Sequence, residues 1–500
     1  MKEKYDLLLK KTKEIQVVGQ IGMLLGWDME TKMPKEGVIQ RSEQQSFIAK
    51  IAHEMITSPE IGKLLKEIKE HDEYDNLSDI EKRNIYLIQR AYDRQTKIPV
   101  EFVAEHTRAM VISTEKWKEA RKNSDFEIFK PHLQTMFEMS KKMANYLNPD
   151  LHPYEVWLDL FEPEMNIEKY NEIFNPLKEA TVELIQRCQS ASIKPDYSLL
   201  TREVPKEIQE KLAKDVIKRI NYNLDKGRLD EAAHPFTTGD YDDVRITTRY
   251  NMNDFTSSLF AVMHEGGHGC YDQNIDRELH YQPVGSYCSM GIHESQSRFY
   301  ENIVGRSKSF WLFYFDKFKE ITGDIFKDLE FEDFIRAINK VQPSLIRVEA
   351  DEVTYNLHII LRFEIERDLF EGKITIDELP MVWNQKMKEM LGVDVPDIAD
   401  GVLQDIHWSG GSFGYFPTYT LGNVYGAQFF AKLKQEIPDW ATRLEKGEVS
   451  ALTDWVVENV QKKGNMYDPP ELVKVVTGEY PTPKYLIEFL QEKYADLYGF

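Results

Sequence analysis

Cysteine is scarce: three in 500 residues, Cys188, Cys270 and Cys288. So sparse and odd a set excludes a disulfide framework and suits a reducing compartment, so a cytoplasmic location is expected. No apolar run approaches the ~20 residues that span a bilayer. The first residues, MKEKYDLLLKKTKEIQ, mix acids and bases at helical spacing, unlike a secretory leader. Positive charge is in deficit, with 63 Lys and Arg against 84 Asp and Glu, for a net charge of -21. Such a surface repels phosphate backbones and anionic bilayers, so neither nucleic acid nor membrane is expected as a partner. Fixed-period repeats, low-complexity tracts and flexible linkers are all missing.

What remains is enough to fold. Apolar residues make up 42% of the chain and aromatics 12%, which can bury a sizeable core. Apolar residues recur at three- and four-residue spacing over most of the length, including 38–70, 78–122, 253–272, 291–320 and 344–371. Prolines such as Pro34, Pro99, Pro205 and Pro343 fall mostly between these stretches, where helix punctuation belongs. The expected fold is all-α: one domain over residues 1–500, in two helical lobes. One stretch breaks the pattern. HPFTTGDYDDVRITTRY (234–250) gathers β-branched and aromatic residues around a Gly-Asp-Tyr-Asp turn. It reads as a small antiparallel hairpin, with Val244 to Tyr250 as the better strand.

Directly after the hairpin, residues 264–268 read HEGGH. Histidines four apart on a helix share a face, so His264 and His268 can ligate one ion. Glu265 lies about 100° around the helix from His264. There it can act as general base toward water without ligating. Asn253 and Asp254 offer helix caps ahead of the motif. Gly266 and Gly267 weaken that helix by about 1 kcal/mol each relative to alanine, which fits close approach by substrate or by a neighbouring helix. The competing reading is a pair of core histidines held by hydrogen bonds.

The third ligand sorts the classes of zinc peptidase. A metzincin would carry glycine at 271 and histidine at 274, where this chain has Tyr271 and Asn274. A gluzincin takes a glutamate from a following helix. GIHESQSRFYENIVG (291–305) offers Glu294, favoured over Glu301 and over Glu278 in the loop. Many such sites place an acid one turn after the third ligand to support a zinc histidine. Here that position is Arg298, so the support must come from elsewhere, with Asp272 or a backbone carbonyl as candidates.

WDMETKMP (27–34), HPF (234–236), DVRIT (243–247), HEGGH, HESQSR (293–298), IRVEAD (346–351) and GVLQDIHW (401–408) occur in one order along the chain. In these segments the sequence resembles the carboxypeptidase Taq family of thermostable zinc metallocarboxypeptidases. The resemblance implies a fold like that of neurolysin and angiotensin-converting enzyme, with a deep groove between two lobes. It also implies removal of single C-terminal residues from peptides with broad specificity, a homodimer, and zinc as the usual metal with cobalt as a substitute.

A carboxypeptidase must hold a free terminal carboxylate, and the planar fork of arginine suits this. The resemblance assigns that task to Arg347, with Asp351 one turn later expected to orient it. The bland reading is an i,i+4 surface pair worth a few tenths of a kcal/mol. The developing oxyanion needs a donor as well. His407 is expected in that role, with Tyr419 preferred to Tyr415. His234 and Arg245 either touch substrate or buttress the hairpin, and they stay outside the catalytic set. The alternatives are an endopeptidase or oligopeptidase on the same fold, and a non-catalytic peptide-binding metalloprotein.

Overall fold

Helix starts follow the polar punctuation of the chain. A computed structural model describes all residues from Met1 to Phe500. Ser58 accepts from the Glu60 N–H, and Pro59 takes the first position of the helix Pro59–Lys69. Ser78 and Glu81 form a reciprocal capping box on the helix Asp79–Thr96. These caps explain one difference from expectation. The stretch 38–70 is two helices, Val38–Ile56 and Pro59–Lys69, because Ser58-Pro59 ends one and begins the other. Likewise 344–371 is not one helix. Asp351 accepts the N–H groups of Val353 and Thr354, and the helix proper spans Tyr355–Phe370.

The chain forms twenty α-helices and one three-stranded sheet, so the all-α class holds. The strands are β1 (Gly227–Glu231), β2 (Thr237–Asp240) and β3 (Asp243–Thr248), in the order β1-β3-β2. β2 and β3 form the expected hairpin, with Thr237 opposite Ile246, although β3 ends at Thr248 rather than Tyr250. The sheet is not purely antiparallel. β1 runs parallel to β3, with Gly227 opposite Val244. Its sequence GRLDE holds no β-branched or aromatic residue, so it carries no strand signal.

One apolar core of 97 buried residues reaches from Trp117 to Tyr498. A separate cluster of nine joins Tyr5 and Leu8 of the first helix to Ile61, Leu65 and Ile85 nearby. No helix is long and apolar enough to cross a membrane. The HEGGH helix, Phe255–Asn274, lies between β3 and the helix Met290–Arg298. The helix Pro417–Glu436 covers the far side of Met290–Arg298. Missing methyl groups permit this closeness. A Cβ at Gly267 would stand 2.8 Å from the Gln296 carbonyl oxygen and the Ser297 Cα. A Cβ at Gly422 would collide with the Cβ and Cγ of Glu294. Of the two explanations for glycine in HEGGH, the neighbouring helix is the one observed at Gly267.

Candidate metal centre and active site

His264, His268 and Glu294 converge, each offering one ligand atom within 4.8 Å of the others. Their burial is graded: Glu294 is 6% exposed, and the histidines are partly open. Nε2 of His264 lies 3.6 Å from Oε2 of Glu294, and Nε2 of His268 lies 3.4 Å from the same oxygen. A tetrahedral ion with bonds of ~2.1 Å has ligand–ligand edges of about 3.4 Å. The donor set therefore fits such an ion. Burial, then the nearby imidazole of His293, lowers the His268 pKa to about 3, so the ring is neutral and able to ligate. Burial opposes ionisation of Glu294, but Arg298 and both histidines outweigh it and hold its carboxyl well below the usual range.

The support that the spacing left open comes from two directions. Nδ1 of His264 lies 2.9 Å from Oε2 of Glu301. Glu301 therefore stands behind a histidine rather than beside Glu294 as a ligand. It reaches there because the helix Met290–Arg298 widens into a π-helical turn over Phe299–Val304. On the other side, Nδ1 of His268 meets Nδ1 of His293, whose Nε2 lies 3.2 Å from Asp272. Asp272 thus acts at one remove. Arg298 binds the group together, donating from Nε to Glu294 Oε1 at 2.7 Å and from Nη1 to Glu301 Oε2 at 3.1 Å. Glu278 is exposed on a short turn, Arg277–Leu279, and takes no part.

Glu265 is buried one position after His264. Its Oε2 accepts from the Thr237 hydroxyl at 2.7 Å, and its backbone carbonyl lies 3.0 Å from that same hydroxyl. Thr237 opens β2, so the hairpin edge orients this carboxylate. Burial raises the pKa of Glu265, against the pull of His264 and the Thr237 bond. Of the other two hairpin candidates, only Arg245 buttresses the hairpin. Arg245 pairs with Asp243 at 2.7 Å and stacks 4.2 Å over Trp27, while His234 is exposed.

Arg347 is 6% exposed, which removes the surface-pair reading. Its expected partner is corrected. Asp351 is occupied by the N–H groups of Gln342, Val353 and Thr354, because the chain turns there instead of continuing as helix. Arg347 pairs instead with Asp405, from Nη2 at 2.8 Å and Nε at 3.1 Å. The same carboxylate takes Arg362 at 2.6 Å, and Arg362 is fully buried. Two guanidinium groups share one carboxylate, which leaves one positive charge uncompensated. Arg347 Nη1 donates to the Tyr355 hydroxyl at 3.2 Å. The ring of Tyr355 lies 4.5 Å under Arg298, which holds Glu294. The Tyr355 ring and the Arg298 guanidinium thus link Arg347 to the ligand Glu294.

His407, Tyr415 and Tyr419 gather on the same side. The Tyr419 ring lies 5.2 Å from the Arg347 guanidinium, and Tyr415 stands 5.4 Å from Tyr419 and 5.6 Å from His407. Burial lowers the His407 pKa to about 4, so the ring is neutral. Its Nδ1 is buried without a hydrogen-bond partner in the protein. The loop carrying these groups hangs on buried Glu366, which accepts from Trp408 Nε1, Gly414 N and the Tyr154 hydroxyl at 2.7, 2.8 and 2.9 Å.

Sequence reasoning missed Thr237, His293, Asp405 and Arg362 as site groups, and it weighed Glu301 only as a competing ligand. Asp405 lies inside GVLQDIHW and His293 opens HESQSR, so two of the missed residues carried a signal.

Comparison with known proteins identifies relatives of the whole chain. The family model described as Carboxypeptidase Taq (M32) metallopeptidase matches residues 7–494. Carboxypeptidase 1 of Bacillus subtilis (strain 168) is 40% identical over 498 residues, covering 99% of this chain and 98% of that protein. Thermostable carboxypeptidase 1 of Thermus thermophilus is 39% identical, covering 99% of both. The crystal structure of an M32 carboxypeptidase from Deinococcus radiodurans R1 superimposes with a TM-score of 0.96 at 35% identity, covering all of both chains.

Proposed function

Because this chain belongs to the carboxypeptidase Taq (M32) metallopeptidase family, and is therefore a metallocarboxypeptidase, we propose that it removes single C-terminal residues from peptides of broad sequence, using zinc held by His264, His268 and Glu294. The observation that carries this reading is the buried excess positive charge at Arg347, Arg362 and Asp405, linked to the ligand Glu294 through Tyr355 and Arg298. A carboxypeptidase needs a cation at a fixed distance from its reacting centre, and an endopeptidase does not.

Zinc in this position supplies Lewis acidity, which acidifies water and polarises a carbonyl oxygen; cobalt would serve the same donors. The protein's own groups do the rest. Arg347 has five N–H donors and spends three, on Asp405 and Tyr355, so two remain for a terminal carboxylate. Its burial strengthens that pairing. Glu265, aimed by Thr237, accepts a proton from the attacking water and returns it to the leaving amine. Neutral His407, with Tyr419 or Tyr415, supplies donors toward developing negative charge.

The test compares one peptide with a free C-terminus against its C-terminally amidated form, on metal-loaded enzyme, with products weighed by mass spectrometry. Loss of one terminal residue from the free acid alone is expected. Internal fragments from both forms would replace this reading with an endopeptidase.

A further inference from the structure

A cavity of about 530 Å³ lies beyond His293, on the side of the metal centre that Tyr287 covers, within the range of small-ligand sites. Three of its lining residues tie it to the active site. Tyr287 stacks edge-on at 4.8 Å against His293, which contacts His268. Phe161 lies 5.1 Å from Tyr415. Asp240 ends β2, three residues beyond Thr237. Arg347 is absent from the walls. A peptide whose C-terminus sits at Arg347 therefore passes the metal centre before it enters this space.

Three arginines face this cavity against the carboxylates of Asp240 and Asp468, in a chain whose net charge is -21. Arg83, Arg90 and Arg94 line it from one helix, at spacings of seven and four residues that share a face. Two of them are matched: Arg83 pairs with Asp468 at 2.9 Å, and Arg90 with Asp159 at 2.7 Å. Arg94 is not. Its only hydrogen bond goes to the Leu160 carbonyl at 3.2 Å, and it has no carboxylate within ion-pair distance. Burial, then Arg90, lowers its pKa to about 10, so it stays charged at neutral pH. Half-buried charge without a partner is costly, and it is retained where a ligand supplies the partner.

We propose that this cavity is an upstream subsite that holds an acidic side chain of the peptide, with Arg94 as the anion-binding group. The proposal rests on the carboxypeptidase reading for the direction in which the peptide lies. Acidic substrates are disfavoured by the protein's overall field, so their acceptance needs a local cation of this kind.

The experiment uses metal-loaded full-length enzyme and peptides sharing one C-terminal dipeptide. Each carries Glu, Gln or Lys at one of the next three upstream positions. At one such position or more, kcat/KM for Glu should exceed that for Gln by about tenfold, the size of one charge-assisted bond. Arg94→Gln should bring the Glu-to-Gln ratio to about one. Arg94→Glu should invert the order and favour Lys. Equal rates for Glu and Gln in the wild type at every position would overturn the proposal, as would a Glu preference that survives both substitutions. Release of the terminal residue from the Gln peptide tests the carboxypeptidase reading separately. Should no peptide be cleaved, that reading falls, and binding of the same peptides to the Glu265→Gln protein by fluorescence anisotropy still reports the Glu-to-Gln ratio.

Discussion

Arg298 donates to Oε1 of Glu294 at 2.7 Å, while Oε2 of the same carboxylate faces both histidines. The arginine found where an acid was expected thus fixes the third ligand and ties it to Glu301. Lysine cannot fork to both carboxylates. Arg298→Lys should weaken metal affinity by about ten- to a hundredfold, read by titration in metal buffers. Affinity equal to the wild type would reduce Arg298 to a packing role.

Thr237 acts on Glu265 from another element. Glu265→Gln should keep its metal and lose about 10²- to 10⁴-fold in kcat. Thr237→Val should lower kcat by a smaller factor, with KM nearly unchanged. Metal content and steady-state kinetics check both, and substantial turnover by the Gln variant would remove Glu265 from the base role.

Arg347→Gln leaves Asp405 paired with Arg362, so the pocket keeps a partner for its carboxylate. Removing one member of a buried charge pair typically costs 2–5 kcal/mol in binding, about 30-fold or more in kcat/KM. The loss should fall mainly on KM for peptides with a free terminus. A variant that still separates free acid from amide as well as the wild type would move carboxylate recognition elsewhere.

Glu366 supplies a pH prediction away from the metal. Burial pushes its carboxyl from 4.5 up to about 7, against its three hydrogen-bond donors. The folded state then holds this proton more tightly than the unfolded state. The group's stabilising contribution is full below pH 4.5 and is lost as pH rises to about 7. At ~1.36 kcal/mol per unit, the loss is about 3 kcal/mol. Glu366→Gln does not titrate, so its stability should gain on the wild type by about that amount over this window. Urea unfolding across the pH range checks it, and parallel profiles would reject it.

What could be read from the sequence was whatever repeats along one element. The four-residue spacing of His264 and His268 gave a shared face, and the β-branched and aromatic residues around a Gly-Asp-Tyr-Asp turn before it gave the hairpin. Glu294 followed from class logic. The rest is through-space. Thr237 reaches Glu265 from a strand, and Asp405 reaches Arg347 across 58 positions of chain. Asp351 misled because one turn of helix was assumed where a capped bend occurs. Glu301 was weighed as a ligand because the π turn, which sends it behind His264, has no spacing signature.

The crossing of three helices at Glu294 depends on two residues that contribute no side chain, Gly267 and Gly422. The bite of the ligand set is therefore set by absent atoms. A methyl group at Gly422 would act as a shim, moving a carboxylate relative to two imidazoles while changing no charge and no donor. Such a change would leave every residue of the signature intact and still detune the centre, a failure that inspecting the motif residues alone would not reveal.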